Sequence, residues 1–136
     1  LMSWTKEELV KIRHELHQIP EIGLSEFKTH AYLMSIIKTM PQEQLEVFED
    51  ETAIIVKVKG SNSTKTIGWR TDIDALPIAE ETGVEFSSTH PGFMHACGHD
   101  IHMTVALGLL QKAAEEGVVN DRVFFFQPAE ENFSFS

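Results

Sequence analysis

The sequence has one cysteine, few basic residues and no long hydrophobic segment. Cys97 is the only cysteine in 136 residues, which rules out an intramolecular disulfide and favours a reducing compartment. The 21 acidic residues outnumber the 11 lysines and arginines, and the net charge of −10 argues against nucleic acid or an anionic membrane as a partner. No apolar run reaches the ~20 residues of a membrane span. We therefore expect a soluble, cytoplasmic protein without nucleic-acid or membrane partners.

Hydrophobic residues at helical spacing predict three helices, within residues 5–19, 26–40 and 101–116. Thr5 and Glu8 have the spacing of a capping box at the start of the first helix. The inner face predicted for the second helix consists of Phe27, Ala31, Met34 and Ile37. A domain of this length can bury a hydrophobic core between such faces.

Apolar and β-branched segments predict strands between these helices. Residues 52–59 alternate in polarity, and residues 66–71 resemble the returning strand of a hairpin after a turn at 60–63. The continuous apolar run at 123–126 predicts a strand buried on both faces. Helices that alternate with strands indicate an α/β domain. The long connection at 73–94 is expected to be functional, because such connections are uncommon inside a compact domain.

Residues 97–102, with the sequence CGHDIH, place four candidate metal ligands within six positions. The Cys97 thiolate and the His99 imidazole can converge on one divalent ion if the chain turns, and Gly98 permits that turn. A position just before a helix also favours the thiolate form of cysteine. The alternative is a buried structural cysteine beside a helix-capping Asp100, with solvated histidines. Ligand type and spacing favour the metal site.

Two acidic clusters supply further candidate groups. Glu130 and Glu131 follow the apolar strand, where one carboxylate could bind a metal while the other takes a proton from water. Asp72 and Asp74 alternate along an extended segment, so they share a face and could bind a metal or orient a histidine ligand. Solvated acids are the alternative interpretation of each pair.

A thiol mechanism that uses Cys97 with His99 and Asp100 is a competing hypothesis. Residues so close in sequence rarely reach the geometry of a catalytic triad, so we rank it below the metal site. His95 and His102 flank the cluster and could be ligands, supporting groups or substrate contacts. The histidines outside any cluster are interpreted as structural or surface groups; these are His14, His17, His30 and His90.

In this order, the clusters resemble those of the di-metal amidohydrolases, a family that includes aminoacylases, hippurate hydrolases and auxin-conjugate hydrolases. The matching segments are residues 16–21, 70–77, 94–102 and 126–131. Within the family, the chain is most similar to the bacterial N-acetyldiaminopimelate deacetylases. The segments that carry this closer resemblance are residues 19–23, 26–29, 41–43 and 99–104.

The resemblance implies hydrolysis of an N-acetyl amide, with N-acetyl-L,L-diaminopimelate as the expected substrate on the acetylated branch of lysine biosynthesis. It implies that Cys97, His99 and Glu131 bind metal. It also implies that Glu130 is the general base and that Asp72 is an acid of the metal site that orients rather than ligates. Two divalent ions are expected, from among zinc, manganese, cobalt and nickel.

The resemblance further implies a fold with a mixed sheet layered between helices. Members of the family continue beyond the Glu-Glu motif with further ligands and a lid domain. We therefore expect residues 1–136 to be the N-terminal portion of the catalytic, metal-binding domain, without the lid domain and the C-terminal part. A homo-oligomer is compatible with the sequence. The alternatives are a general aminoacylase or metallocarboxypeptidase, and a truncated, inactive metal-binding module.

Overall fold

In a computed structural model, the described part of the chain, residues 4–128, forms three helices and four strands. The helices are α1 (Lys6–His17), α2 (Phe27–Ile37) and α3 (His99–Glu116). The strands are β1 (Leu45–Asp50), β2 (Ala53–Val58), β3 (Thr66–Asp72) and β4 (Asp121–Gln127). Within residues 4–128, none of the helices has the length and apolar character needed to cross a membrane.

The start of α1 confirms the predicted capping box. The Glu8 N–H donates to Thr5 Oγ1 at 3.2 Å, and the Thr5 N–H donates to Glu8 Oε1 at 2.9 Å. Ile12 and Leu16 then lie one turn apart and are both buried, so α1 turns its apolar side toward the core.

The inner face predicted for α2 is confirmed at Ile37, which is buried, and in part at Met34, which packs against the core, but it is wrong at Phe27 and Ala31, which are exposed. Phe27 is 67% exposed, whereas Thr29 and Leu33 are fully buried. The cause is a hydrogen-bonded threonine: both the N–H and the hydroxyl of Thr29 donate to Glu21 Oε1, at 2.7 and 2.8 Å. Because its polar atoms are satisfied, Thr29 can face inward and rotate the helix away from the apolar spacing.

The four strands form one mixed sheet in the order β1-β2-β4-β3, with β3 parallel to β4 and the other pairs antiparallel. The predicted hairpin is wrong, because β4 lies between β2 and β3. The turn after β2 runs beside the segment that precedes β4: the N–H groups of Ser61 and Asn62 donate to the carbonyls of Val118 and Val119. β1 is a strand that apolar alternation did not predict.

The helices of the described residues cover one face of the sheet. Phe124 and Phe126 of β4 are buried there in a single core cluster. The other members of the cluster from the sheet and from the start of the following loop are Ile54, Val56, Val58 and Ile73. Phe125 points to the opposite face and is 38% exposed. The prediction that this strand is buried on both faces is therefore wrong within residues 4–128. The predicted α/β class with a mixed sheet is confirmed.

Candidate metal centre

The carboxyl ends of β3 and β4 lie side by side, with Asp72 opposite Gln127 in the parallel register. Ligand sites in α/β sheets commonly form at the carboxyl ends of parallel strands, because the chain leaves the strands there and its loops converge. The chain leaves β3 through Asp74, which is fully buried. Glu130 and Glu131, the predicted base and ligand, follow β4 but lie outside the described residues.

His99, the first residue of α3, is held between these two aspartates. Its Nδ1–H donates to the Asp74 backbone carbonyl at 2.8 Å and lies 3.4 Å from Asp74 Oδ1. Its Nε2 lies 3.9 Å from Asp72 Oδ2. The structure therefore brings together three predicted residues from two separate clusters, although 25 residues of sequence separate Asp74 from His99.

The electrostatic environments of His95 and His99 are opposite. A hydrogen bond with the Asp74 side chain raises the pKa of His99 to about 9, against the effect of burial and with further help from Asp72. Burial lowers the pKa of His95 to about 4, against the attraction of Asp100. In the metal-free protein at neutral pH, these pKa values make the His99 imidazole cationic and the His95 imidazole neutral.

Cys97 lies two residues before His99 and is exposed. Gly98 between them has φ +85°, which is the left-handed turn expected of a glycine at this position. Gly98 also occupies the N-cap of α3, and no side chain of residues 4–128 caps the helix there. The capping role considered for Asp100 in the alternative interpretation is therefore not observed: α3 begins at His99, and Asp100 lies in its first turn.

The donor types at this edge of the sheet fit a transition-metal ion. A thiolate, an imidazole and carboxylates are ligands of such ions, and a histidine ligand usually donates its other ring N–H to a carbonyl or carboxylate, as His99 does to Asp74. Because Nδ1 makes that bond, Nε2, which lies 3.9 Å from Asp72 Oδ2, is the ring nitrogen that could bind a metal. Within residues 4–128, however, no group of three or more candidate ligands is placed to hold an ion alone. The predicted ligand Glu131 lies outside that range.

A second polar cluster, which the sequence did not predict, joins the start of α3 to α1. Asp100 is 1% exposed, and its Oδ2 accepts hydrogen bonds from Arg13 Nε at 2.9 Å and from His17 Nδ1 at 2.8 Å. Arg13 and His17 are four residues apart on α1, so they share a face. That spacing is a local signal, but it does not reveal the acid that the two residues contact.

The two histidines that flank the motif differ in burial. His95 is 4% exposed, and neither of its ring nitrogens has a hydrogen-bond partner within the described residues. It lines a cavity of about 430 Å³ together with Arg13, His17 and Asp100. His102 is exposed, and its ring centre lies 6.0 Å from that of His99.

Fold and donor set together define an α/β domain with a candidate metal centre at the carboxyl ends of its parallel strands. The model of peptidase family M20/M25/M40 matches residues 68–134. The N-acetyldiaminopimelate deacetylase of Limosilactobacillus fermentum is 59% identical over 129 residues, which are 93% of this chain and 34% of that protein. The same enzyme of Streptococcus gordonii is 60% identical over 127 residues, which are 92% of this chain and 34% of that protein. The chain belongs to the M20/M25/M40 family.

Solved structures give the same result for the fold. The YXEP protein of Bacillus subtilis, described as a dinuclear metal-binding peptidase of the M20 family, superposes with a TM-score of 0.80 at 36% identity, over 92% of this chain and 35% of that one. An aminoacylhistidine dipeptidase from Vibrio alginolyticus, at 18% identity and a TM-score of 0.67, shares the fold over 95% of this chain and 29% of its own. The chain spans about a third of the length of the curated relatives it matches.

Proposed function

We propose that residues 1–136 form the N-terminal portion of the catalytic domain of a metal-dependent deacetylase that acts on N-acetyl-L,L-diaminopimelate. The observation that carries the proposal is the placement of His99 between Asp72 and Asp74 at the carboxyl ends of β3 and β4. The identity of 59% to an N-acetyldiaminopimelate deacetylase supports the substrate. The reaction consumes one water and yields acetate and the free amine of diaminopimelate.

In this proposal, Cys97, His99 and Glu131 hold metal. Their donor types suit the softer divalent ions, with zinc, manganese, cobalt and nickel as candidates and two ions in the complete site. A divalent ion bound there supplies Lewis acidity to the amide carbonyl. Asp74 anchors the His99 ring through the bond to Nδ1, and Asp72 orients the ring from its Nε2 side. A thiolate ligand also suits a reducing, cytoplasmic setting.

The proton transfers fall to Glu130 in the proposed mechanism. Its carboxylate takes a proton from the attacking water, whose oxygen forms the new bond to the acetyl carbon. The same carboxyl group then passes that proton to the amine nitrogen as the C–N bond breaks. One base that later acts as the acid balances the reaction, and a second acid is not needed.

A matched pair of substitutions tests the two glutamates. Glu130→Gln should lower acetate release from N-acetyl-L,L-diaminopimelate by about 10²–10⁴-fold while the metal content per chain persists, because a base worth that factor is lost. Glu131→Gln should lower the metal content itself. The opposite result would mean that the two roles are exchanged. Chelation with EDTA that left acetate release unchanged would contradict the metal mechanism, and restoration with each candidate ion would identify the metal.

Two further measurements separate the alternatives. A general aminoacylase would hydrolyse N-acetylmethionine as fast as N-acetyl-L,L-diaminopimelate, whereas the proposed enzyme prefers the second. Cys97→Asp keeps an anionic ligand but removes the thiol, so it should retain some metal and some turnover if the metal mechanism holds. A thiol nucleophile could not survive that change.

A further inference from the structure

We infer that His17 is a positioning residue, which acts through Asp100 to hold the segment that bears Cys97 and His99. The role in holding the segment follows from the contacts of α1 with the start of α3. Its consequence for metal binding rests on the proposed function. His17 is the last residue of α1, is 3% exposed and lies outside the candidate metal centre.

The contact between His17 and Asp100 joins two elements that are far apart in sequence. His17 Nδ1 lies 2.8 Å from Asp100 Oδ2, across 83 residues of sequence. Arg13 Nε donates to the same oxygen at 2.9 Å. Because Asp100 is 1% exposed, its carboxylate depends on these partners in place of water, and charge-assisted bonds of this kind are stronger than neutral ones.

The other carboxylate oxygen and the backbone of Asp100 fix the first turn of α3. Oδ1 accepts the N–H of Ile101 at 2.9 Å, and the Asp100 carbonyl accepts the hydroxyl of Thr104 at 2.8 Å. Within residues 4–128 no side chain caps the helix at Gly98, so Asp100 ties its first turn to α1, while His99 ties it to Asp74. His99 is the residue immediately before Asp100, and any tilt of this turn would move the His99 ring.

The second ring nitrogen of His17 faces a different element. Nε2 lies 3.1 Å from Oε2 of Glu80, whose side chain is 4% exposed and lies in the connection between β3 and α3. Glu80 Oε1 also accepts the N–H of Ser88 at 2.7 Å. The edge of the His17 ring meets the Phe86 ring at 5.5 Å between centroids. His17 therefore contacts both this connection and α3, and its link to the donor segment runs through Nδ1.

Two substitutions distinguish the role of Nδ1 from that of Nε2 in the His17 ring. His17→Asn keeps an amide donor near the position of Nδ1, toward Asp100, and loses the contact with Glu80. His17→Gln keeps a donor near the position of Nε2, toward Glu80, and loses the contact with Asp100. Both remove the ring and its packing against Phe86, so a purely structural role would affect the two variants equally. The inference predicts that His17→Asn still holds the segment with Cys97 and His99 in place and that His17→Gln does not.

The first measurement needs no metal. Amide hydrogen exchange in the metal-free full chain should be about tenfold or more faster at Ile101 and His102 in His17→Gln than in His17→Asn, because the loss of a charge-assisted bond lets the first turn open. The His102 N–H is a suitable probe, since it donates to the Gly98 carbonyl at 3.0 Å. Exchange at Leu110, in the buried part of α3, should be equal in the two variants. Equal exchange at Ile101 and His102 would overturn the inference.

The second measurement uses cobalt(II) alone, followed by the absorption bands of cobalt–thiolate and cobalt–imidazole bonds. His17→Gln should raise the dissociation constant about 10- to 100-fold, the usual effect of losing a group that orients a ligand, and His17→Asn should stay close to the parent. If exchange separates the variants but the parent chain binds no cobalt, the metal proposal fails and the positioning role stands. If cobalt binds equally to both variants, the link to the metal site is wrong.

A second pair covers the case in which both His17 variants fail to fold. Asp100→Asn should accelerate exchange at Ile101 and His102, because it removes the charge that Arg13 and His17 contact. Glu80→Gln should leave that exchange unchanged while it disturbs the far side of His17. The reverse order within this pair would show that the contact with Glu80, and not the one with Asp100, holds the segment.

Discussion

The two ends of the parallel pair β3–β4 are built from different kinds of contact. At the amino end, side chains satisfy backbone groups: the Gly60 N–H donates to Asp121 Oδ1 at 2.7 Å, and the Asp121 N–H donates to Ser63 Oγ at 2.9 Å. At the carboxyl end, charged side chains meet one another, as His99 does with Asp72 and Asp74. The cluster of ionisable side chains at the carboxyl end is what marks it as a candidate site.

This difference predicts that substitutions at the amino end of β3 and β4 change stability, whereas substitutions at the carboxyl end change metal binding. Substitutions at the amino end should lower the free energy of unfolding and leave the affinity for cobalt(II) unchanged in the folded fraction. Substitutions at the carboxyl end should do the reverse, because the charged groups gathered there serve a bound ion rather than the fold. Urea unfolding and cobalt titration of each variant measure the two quantities on the same sample.

Gly60→Ala should have the largest effect on stability. A Cβ at this position would lie 2.3 Å from the Val119 carbonyl oxygen and 2.6 Å from the Asn120 carbonyl carbon. Both are backbone atoms that cannot rotate away, so we expect a loss of about 3 kcal/mol, at the upper end of the usual cost of overpacking. Gly68→Ala is the control, since its Cβ would meet only a side-chain atom of Phe125 at 3.9 Å. A changed cobalt affinity in folded Gly60→Ala would break the comparison between the ends.

Asp72→Asn tests the carboxyl end and should show the opposite profile. Asp72 lies 3.9 Å from His99 Nε2 and is 20% exposed. Removal of its charge should weaken cobalt binding about 10- to 100-fold, as expected for a group that orients a ligand. The free energy of unfolding should change by less than about 1 kcal/mol, because its ion pair with Arg70 is largely solvated. Unfolding at a much lower urea concentration would assign Asp72 to the fold instead.

The features that the sequence predicted are those in which local order and spacing carry the information. The two residues of the capping box, Thr5 and Glu8, are three positions apart, and the box is present as predicted. The meeting of Asp72 and Asp74 with His99 was also accessible, because residues that follow parallel strands and precede helices gather at one edge of a sheet. Composition and periodicity then sufficed for the α/β class.

The features that the sequence did not predict depend on contacts between distant segments. The bond between His17 and Asp100 spans 83 residues, and no spacing rule relates them. The inward rotation of Thr29 depends on hydrogen bonds to Glu21, which apolar periodicity does not register. The position of β4 between β2 and β3 requires knowledge of where the turn after β2 packs.

Ser63→Ala should have a smaller effect at the amino end. The hydroxyl accepts the Asp121 N–H at 2.9 Å and donates to the Lys65 carbonyl at 2.9 Å, and both bonds are exposed to solvent. We expect a loss of about 0.5–1.5 kcal/mol in the free energy of unfolding, because water replaces part of each bond. Ser35→Ala, in which an exposed hydroxyl on α2 bonds a nearby carbonyl, is a matched control away from the sheet. Cobalt affinity should be the same in the parent and in both variants.

Arg70→Ala should have the smallest effect and should act in the opposite direction on metal binding. The guanidinium donates to Asp72 Oδ1 at 2.7 Å but is 58% exposed, so the ion pair contributes at most about 1 kcal/mol to stability. Its positive charge repels a cation bound beside Asp72. Removal of that charge should therefore strengthen cobalt binding about twofold at low ionic strength and less at 1 M salt, where charges are screened beyond about 3 Å. Arg70→Lys, which keeps the charge, should bind cobalt as the parent does. Weaker binding by Arg70→Ala would mean that Arg70 holds Asp72 in place, and that an exposed side chain belongs to the positioning machinery of the carboxyl end.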